Sequence, residues 1–442
     1  MKQHNIITRT YDYIFAIFKL VLNINNMRFA LIINRQLSIG NYLKSHSMKI
    51  IVCILVVFTF SQCNSGTGNN TAEKLAEIDV TGTYSRKEFY LQDIAKVEYI
   101  PFETNNHAMM GRSLKIFYVS DDYIIAANVV EGDVFVYDGQ GRWKYSFNHK
   151  GQGPLEYIFI NSIAFDEKAK ELFVSEWYSA NPKILVFSEN GEYKRTLPCP
   201  PKFWPDLYNF DDATLLAYDN YGIRAIEKEY SPMPYLFMSK KDGSFTDSLN
   251  IHLPVRLSDA AVWQGEENGQ TMYYSRRMQI SYNRSYGENF LIADWSADTI
   301  YRLTPRKELQ PMIVRTPPMQ STDPKILLSN FLITDKFILL GVHGMDYTAI
   351  RNGDEISQKQ LMYSFETGET NIYRLKNRDI TTSTNVMIRD AITPANTGIT
   401  MYDAAFLFDM DEKGELQGEL KELLKSLDDE DNPVLVKIIM ND

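Results

Sequence analysis

KIFYVSDDYIIAAN (residues 115–128) contains two short apolar stretches separated by an acidic turn. Apolar and polar residues alternate along each stretch, as in a half-buried β-strand, and the turn between them favours an antiparallel hairpin. Five further segments repeat this arrangement. They lie at 162–176, 207–219, 279–294, 331–343 and, in a looser form, 386–403. A hairpin that recurs along the chain in this way predicts a β-repeat protein.

A second hairpin follows each of the first five copies. These second hairpins lie at 133–147, 183–197, 235–249, 299–314 and 361–375. Turns in this set contain Asn-Gly, Asp-Gly or Thr-Gly, which adopt the positive φ of tight turns. Gly141, Gly191 and Gly243 stand at equivalent places in successive units. Their spacing of roughly 50 residues is within the period of β-propeller blades.

The sequence therefore predicts an all-β fold, a six-bladed β-propeller of four-stranded antiparallel blades. The sixth copy lacks outer strands, and we expect the chain ends to supply them at 94–103 and 432–440, which would leave no exposed sheet edge. Longer later repeats indicate insertions at 252–275 and 343–358. A leucine stripe at 415–427 predicts an amphipathic helix that packs on the propeller, with a partner-binding helix as the alternative.

MKIIVCILVVFTFSQC (48–63) has the pattern of a signal peptide. A short basic start precedes eleven apolar residues, too few to span a bilayer. Cys63 follows a small residue and a glutamine, which resembles a relaxed bacterial lipobox and predicts lipidation of this cysteine. A buried strand with an incidental cysteine is the alternative interpretation.

This assignment divides the chain into four parts. Residues 48–62 form the signal peptide and residues 63–87 a flexible tether, since the stretch after Cys63 is polar and glycine-rich. Residues 88–442 form the propeller. Residues 1–47 precede the signal peptide and are interpreted as an over-extended or disordered start, with a genuine extra segment as the alternative.

Composition limits the classes of partner. The chain has 442 residues and a formal net charge of −10, and residues 1–62 contain seven Lys or Arg and one Asp. The remainder is therefore strongly acidic and repels phosphate backbones, so we expect no nucleic-acid binding. Aromatic residues make up 13% of the chain, which favours β-structure.

Three segments resemble the six-bladed β-propeller lipoproteins that are abundant in Bacteroidota. They are VEYIPFET (97–104), KGQGPLEY (150–157) and LLKSLDDEDNPVLVKI (423–438). The middle segment is similar to a Gly-x-Gly-Pro-Gly-Glu-Tyr corner of that family, with Leu155 in place of the last Gly. The resemblance implies the propeller fold and says little about activity.

KGQGPLEY also has the glycines of a phosphate-binding loop, but Pro154 removes a backbone donor and strand-like residues follow where a P-loop needs a helix. We therefore interpret it as a corner between blades. Because such corners lie near the central channel, Glu156 and Tyr157 are candidate binding residues. Arg276 and Arg277 are further candidates, since they start an inner strand and could reach into the channel toward an anionic ligand.

Tryptophans near predicted strand ends or in insertions are candidates for contact with sugars or proteins. They are Trp177, Trp204, Trp263 and Trp295, of which Trp204 and Trp263 are the preferred binding residues. Burial between blades is the alternative. Nothing in the sequence matches a serine-hydrolase elbow or a zinc-binding motif, so we expect no metal and no cofactor.

These features favour a non-catalytic envelope protein that binds a protein or a carbohydrate-like ligand through one propeller face. A propeller enzyme with a site on the central channel, such as a metal-dependent lactonase or a polysaccharide lyase, is the alternative. Acidic runs after the cysteine resemble surface-export signals of this bacterial group, and none follows Cys63. We therefore expect an outer-membrane lipoprotein that faces the periplasm.

Overall fold

The computed structural model describes residues 75–177, 181–219, 232–253, 255–258, 260–267, 270–277, 283–354, 356–382 and 384–441. The predicted signal peptide, the predicted lipidation site Cys63 and residues 1–47 lie outside the described residues.

Three short strands precede the first repeat. They are β1 (Ala76–Asp79), β2 (Arg86–Tyr90) and β3 (Ala95–Pro101), with a one-turn helix α1 (Leu91–Ile94) before β3. β1 and the start of β2 lie within 63–87, so the expectation of a flexible tether as far as residue 87 was wrong. β2 has a largely exposed, charged sequence, RKEFY, which gives no alternating signal.

The following strands form a six-bladed β-propeller, and within each blade they pair antiparallel in chain order from the channel outwards. Blade 1 contains β4 (Leu114–Val119), β5 (Ile124–Asn128), β6 (Asp133–Tyr137) and β7 (Trp143–Asn148). Blade 2 contains β8 (Phe159–Asp166), β9 (Glu171–Trp177), β10 (Lys183–Ser188) and β11 (Tyr193–Pro198). Blade 3 contains β12 (Pro205–Asn209), β13 (Thr214–Asp219), β14 (Tyr235–Ser239) and β15 (Phe245–Ser248).

An additional hairpin separates blades 3 and 4. It consists of β16 (Ala260–Glu267) and β17 (Gln270–Arg277), which pair only with each other among the described strands. This hairpin occupies the insertion that the sequence predicted at 252–275.

Blades 4 and 5 each gain a fifth strand from the N-terminal segment. Blade 4 contains β18 (Asn283–Tyr286), β19 (Asn289–Ile292), β20 (Thr299–Leu303) and β21 (Leu309–Thr316). A 3₁₀ turn at Met319–Ser321 precedes blade 5, which contains β22 (Lys325–Ile333), β23 (Phe337–Met345), β24 (Gln358–Ser364) and β25 (Thr370–Lys376). β1 pairs parallel with β21, and β2 pairs parallel with β25. Helix α2 (Tyr347–Asn352) lies in the second predicted insertion.

Blade 6 closes the ring with strands from both chain ends, as the sequence predicted. β26 (Thr397–Tyr402) pairs with β27 (Val434–Met440), and β27 pairs with β3. The innermost position is held by the segment around Arg389, whose amide donates to the Ile399 carbonyl over 2.8 Å. Two helices, α3 (Ala404–Glu412) and α4 (Gly418–Leu424), connect β26 to β27.

The predicted leucine stripe is confirmed, on a shorter helix than expected. Leu416, Leu420 and Leu424 are buried in a cluster with Val434 of β27. Helix α4 therefore packs against blade 6.

Glycines at the outer hairpins have the backbone conformation that the sequence indicated. Gly141, Gly191, Gly243 and Gly368 have φ of 71–85°, a region that L side chains disfavour. At the first three, the two strands that the turn joins shift register by one residue, as expected for a bulged turn.

Six buried apolar clusters stabilise the ring, one at each contact between neighbouring blades. Phe165 of blade 2 and Val136 of blade 1, for example, share one cluster. Each Å² of apolar surface removed from water stabilises the fold by about 25 cal/mol, so this packing is the main stabilising term. The innermost strands are thereby held in a fixed ring around the central channel.

Candidate functional site

The glycine-rich corner joins β7 to β8, the outermost strand of blade 1 to the innermost strand of blade 2. Tyr157 is fully buried there. Its hydroxyl donates to the Gly132 carbonyl over 2.7 Å and accepts from the His149 amide over 3.0 Å. Burial raises the pKa of this phenol. Tyr157 therefore holds the corner to blade 1, and its hydroxyl has no free hydrogen-bonding capacity to offer a ligand.

Glu156 stabilises the same loop through a hydrogen bond within it. Its Oε2 accepts from the Gly153 amide over 2.8 Å. A Cβ at Gly151 would lie 1.9 Å from that oxygen, so a larger residue at this position would displace the Glu156 carboxylate from the loop. The geometry fits the sequence interpretation of a corner between blades, in which Glu156 bonds within the loop and Tyr157 bonds the loop to blade 1.

Arg276 and Arg277 lie at the end of β17, opposite Ala261 and Ala260 of β16. The expectation that they begin an innermost strand was wrong, because that strand is β18 and begins at Asn283. The pattern QTMYYSRR suits a strand in either place, so the sequence could not separate the insertion hairpin from blade 4. The side chains of these arginines lie outside the described part of the structure.

The tryptophan candidates differ in their surroundings. Trp263 is half-buried on the hairpin, where its ring stacks on Tyr274 at 5.7 Å and the Arg351 guanidinium lies 5.4 Å from its centre. Trp295 is buried, and its indole donates to the Leu257 carbonyl over 3.0 Å. Trp204 is half-buried just before β12 and does not border the channel cavities described below. The side chain of Trp177 lies outside the described part.

Two adjoining cavities lie along the central channel. Both are bordered by residues of the innermost strands of blades 1, 2 and 3 and of the inner segment of blade 6. These shared residues are Phe117, Ile163, Leu207, Tyr208 and Ile392. The shared residues form no continuous sequence motif, since each of these blades contributes only one or two of them.

The narrow cavity measures about 40 Å³, roughly the space of one water molecule. Its charged lining residues are Lys115, Asp206 and Asp390. Burial raises the pKa of Tyr208 in its wall well above the usual range, and the charges of Asp206 and Asp390 add to this effect. The phenol is therefore neutral at physiological pH.

The wide cavity measures about 230 Å³ and lies where the innermost strands end. Aromatic residues dominate its lining. They are Phe117, Tyr118, Phe165, Tyr208, Phe210 and Phe290. The other polar lining residues are Asn209, Ser285, Glu288 and Asn289, and Glu288 is the one charged residue among the described lining residues. Apolar walls with a few placed polar groups are typical of small-molecule sites.

Acidic turns surround the mouth of the wide cavity. The first hairpin of each blade turns at this face, at 120–123, 167–170, 210–213, 287–288, 334–336 and 393–396. Seven carboxylates lie in these turns, against three lysines. The acidic residues are Asp121, Asp122, Glu167, Asp211, Asp212, Glu288 and Asp335. The acidic turn of the repeat was visible in the sequence, but its position at one end of the channel was not.

A buried arginine lies next to the channel. Arg284 of β18 is 1% exposed, and its Nη2 donates to the Arg389 carbonyl over 3.3 Å. Its Nε and Nη1 have no hydrogen-bond partner among the described residues. Burial lowers the pKa of this guanidinium, and the charge of Asp390 opposes the shift. The side chain links blade 4 to blade 6 at a cost in unsatisfied donors.

Ser329 and His343 form a buried pair in blade 5. The Ser329 hydroxyl lies 2.9 Å from His343 Nε2, and Phe331 packs beside the imidazole. Both residues of the pair are at most 3% exposed. Burial lowers the pKa of His343 to about 4. A serine and a histidine at this distance could form a nucleophile pair, but their burial keeps a substrate from reaching them.

Residues 75–438 match the family model for a domain of unknown function, DUF4934. The chain belongs to the DUF4934 family. No curated protein matches the sequence of this DUF4934 member. None of its described helices has the length and hydrophobicity of a membrane-spanning segment.

Solved structures resemble this DUF4934 propeller at low sequence identity. The crystal structure of a Bacteroides fragilis protein described as exported covers 81% of this chain and 100% of its own, with a TM-score of 0.55 and 14% identity. A member of the DUF4221 family from Bacteroides vulgatus covers 65% of this chain and 92% of its own, with a TM-score of 0.38 and 8% identity. The first likeness shows the fold alone, and the second is too weak to support a conclusion.

Proposed function

We propose that this protein is a cell-envelope binding module that takes a small molecule into the wide cavity of its propeller channel. One observation carries the proposal: a cavity of about 230 Å³, walled by aromatic rings, opens at the centre of the ring. Small-molecule sites typically measure about 300–1,000 Å³, so the ligand is smaller than a drug-sized molecule.

The ring supports this site because its lining residues lie on innermost strands or on the turns that follow them. Tyr208 of β12 and Phe290 of β19 meet edge to face at 6.2 Å, and Phe210 stacks on Phe290 at 5.9 Å. Aromatic contacts of this kind fix the rings before a ligand arrives, which lowers the entropic cost of binding.

The cellular position is inferred from the N-terminal sequence. We propose that Cys63 is acylated after removal of the signal peptide and anchors the propeller to the outer membrane on its periplasmic side. The apolar run at 50–60 supports export. The likeness to the Bacteroides fragilis protein described as exported is consistent with an envelope location.

A plugged variant tests the cavity. The purified full-length protein is screened for small molecules that raise its melting temperature, beside Asn289→Trp, which places an indole at the cavity lining, and Asn190→Trp in an outer turn of blade 2. We expect ligands to stabilise the wild type and Asn190→Trp and to lose their effect on Asn289→Trp. Equal stabilisation of both tryptophan variants would place binding elsewhere, and turnover of a bound compound would favour the enzymatic alternative.

The anchor is tested separately by Cys63→Ser. We expect this variant to leave the membrane fraction while the wild type remains in it, because the acyl chains supply the attachment. A variant that stays with the membrane would contradict lipidation at Cys63. Either result leaves the cavity proposal unaffected.

A further inference from the structure

We propose that the ligand of the wide cavity is an organic cation, a compound that joins an ammonium group to a small apolar or aromatic body. This inference rests on the proposed function, since it assigns a chemical class to the ligand of the same cavity. Three features of the cavity and its mouth favour positive charge.

The first feature is the charge of the lining. Glu288 lies in the turn between β18 and β19 and is exposed. No hydrogen bond or ion pair to another described residue engages its carboxylate, and no lysine, arginine or histidine is among the described lining residues. A ligand cation would therefore meet an unpaired counter-ion at the mouth. The ammonium of Lys115 borders the neighbouring narrow cavity and lies 4.9 Å from the centre of the Phe117 ring.

The second feature is the chemistry of the walls. Tyr208, Phe210 and Phe290 present a cluster of aromatic rings at the cavity. Aromatic faces carry negative electrostatic potential and attract ammonium groups, by more when the group is desolvated.

The third feature is the field at the mouth. The turns that surround it contain seven carboxylates and three lysines. Lys437 adds one further positive charge through its ion pair with Asp121 at 2.7 Å, which leaves the carboxylates in excess. A concave mouth with one sign of charge raises the local concentration of the opposite ion and speeds its association. At the narrow end, by contrast, Lys115 stands beside Asp206 and Asp390, so the charges are mixed.

A pair of near-isosteric probes tests the inference. Calorimetric titration of the full-length protein compares 2-phenylethylammonium with 2-phenylethanol, which differ in charge and share the phenyl body. We expect the cation to bind about tenfold more tightly than the alcohol, from the cation–π and counter-ion attraction together. The preference should shrink between 20 and 300 mM salt, because salt screens an exposed carboxylate.

Glu288→Gln removes the counter-ion in an exposed turn, and Glu366→Gln makes the same change in an exposed outer turn of blade 5. We expect Glu288→Gln to weaken the cation about fivefold and leave the alcohol unchanged, while Glu366→Gln changes neither. Equal affinity for the two probes, or equal behaviour of the two variants, would overturn the cation assignment.

The outcome for the proposed function is read separately. If both probes bind equally and Asn289→Trp blocks both, the cavity is a binding site and only the cation assignment fails. If neither probe binds, and the screen finds no ligand whose stabilising effect is lost in Asn289→Trp, both proposals fail.

Discussion

The glycine-rich corner and the wide mouth of the channel differ in how their polar groups are satisfied. At the corner, the Tyr157 hydroxyl makes two hydrogen bonds and Glu156 accepts from the loop that carries it. At the mouth, the Glu288 carboxylate is exposed beside open space and engages no other described residue. The corner is the more conspicuous motif in the sequence, yet its groups bond to one another. Because the groups at the mouth are unengaged and those at the corner are not, we propose the mouth and not the corner as the binding site.

Like the corner, the Ser329–His343 pair has polar groups that bond to each other. A change of pH should have the largest effect on stability here, because His343 titrates. Burial holds the pKa of His343 at about 4, below its ordinary value of about 6.5. The unfolded chain therefore takes up this proton first as the pH falls. The free energy of unfolding is fully present above about pH 7, and we expect it to fall by about 3 kcal/mol between pH 6.5 and pH 4.

Urea unfolding of the wild type and His343→Asn across this pH range isolates the effect from that of the carboxylates. His107→Asn is the matched control at an exposed histidine. We expect the pH slope to become shallower only in His343→Asn. The same slope in all three proteins would mean that His343 titrates normally in the folded state.

Tyr157→Phe tests the corner directly. The variant leaves the His149 amide and the Gly132 carbonyl without the hydroxyl that joins them, so we expect a loss of about 2 kcal/mol in the free energy of unfolding. Tyr145→Phe, at an exposed tyrosine of the neighbouring strand, should change it by less than about 0.5 kcal/mol. Affinity for 2-phenylethylammonium should be unchanged. A stable Tyr157→Phe with weakened binding would reverse the roles of corner and mouth.

Arg284→Met sharpens the comparison at the channel, where this guanidinium keeps Nε and Nη1 unsatisfied. Replacing a poorly paired buried charge with an apolar group of similar size is often neutral or stabilising, so we expect a gain of about 1 kcal/mol. Arg315→Met is the control, because Arg315 is equally buried but donates to two carbonyls, that of Pro317 over 3.1 Å and that of Ile326, and leaves only Nη2 without a partner among the described residues. We expect Arg315→Met to lose stability. A large loss in Arg284→Met would identify its link to Arg389 as essential to the ring.

The architecture was predictable because local sequence patterns determine its strands and turns. Alternation marked the strands of five blades, and glycines such as Gly191 and Gly243 marked the outer turns. Closure of blade 6 followed from two unpaired apolar segments at the chain ends. The sequence failed at β1, which has only four residues, and at β2, where exposed charged residues hide the pairing with β25.

The site was less predictable because it has no local pattern. Arg276 and Arg277 satisfied the alternation of a strand, but alternation cannot say which sheet a strand joins. Phe117, Tyr208 and Phe290 are separated by roughly 80 residues or more in the sequence and meet only where the innermost strands converge. The acidic turn of the repeat was the one sequence signal at this mouth. Only closure of the ring brings the acidic turns of the blades to the same face.

The most direct measurement is an isoleucine-methyl NMR titration of the protein with 2-phenylethylammonium. Ile163 and Ile392 line the wide cavity, whereas Ile78 and Ile438 are buried in the contacts between outer parts of the blades. We expect the Ile163 and Ile392 methyl signals to shift with a common saturation curve while Ile78 and Ile438 stay in place. Unchanged Ile163 and Ile392 signals, with shifts confined to isoleucines away from the channel, would contradict a binding site in the wide cavity.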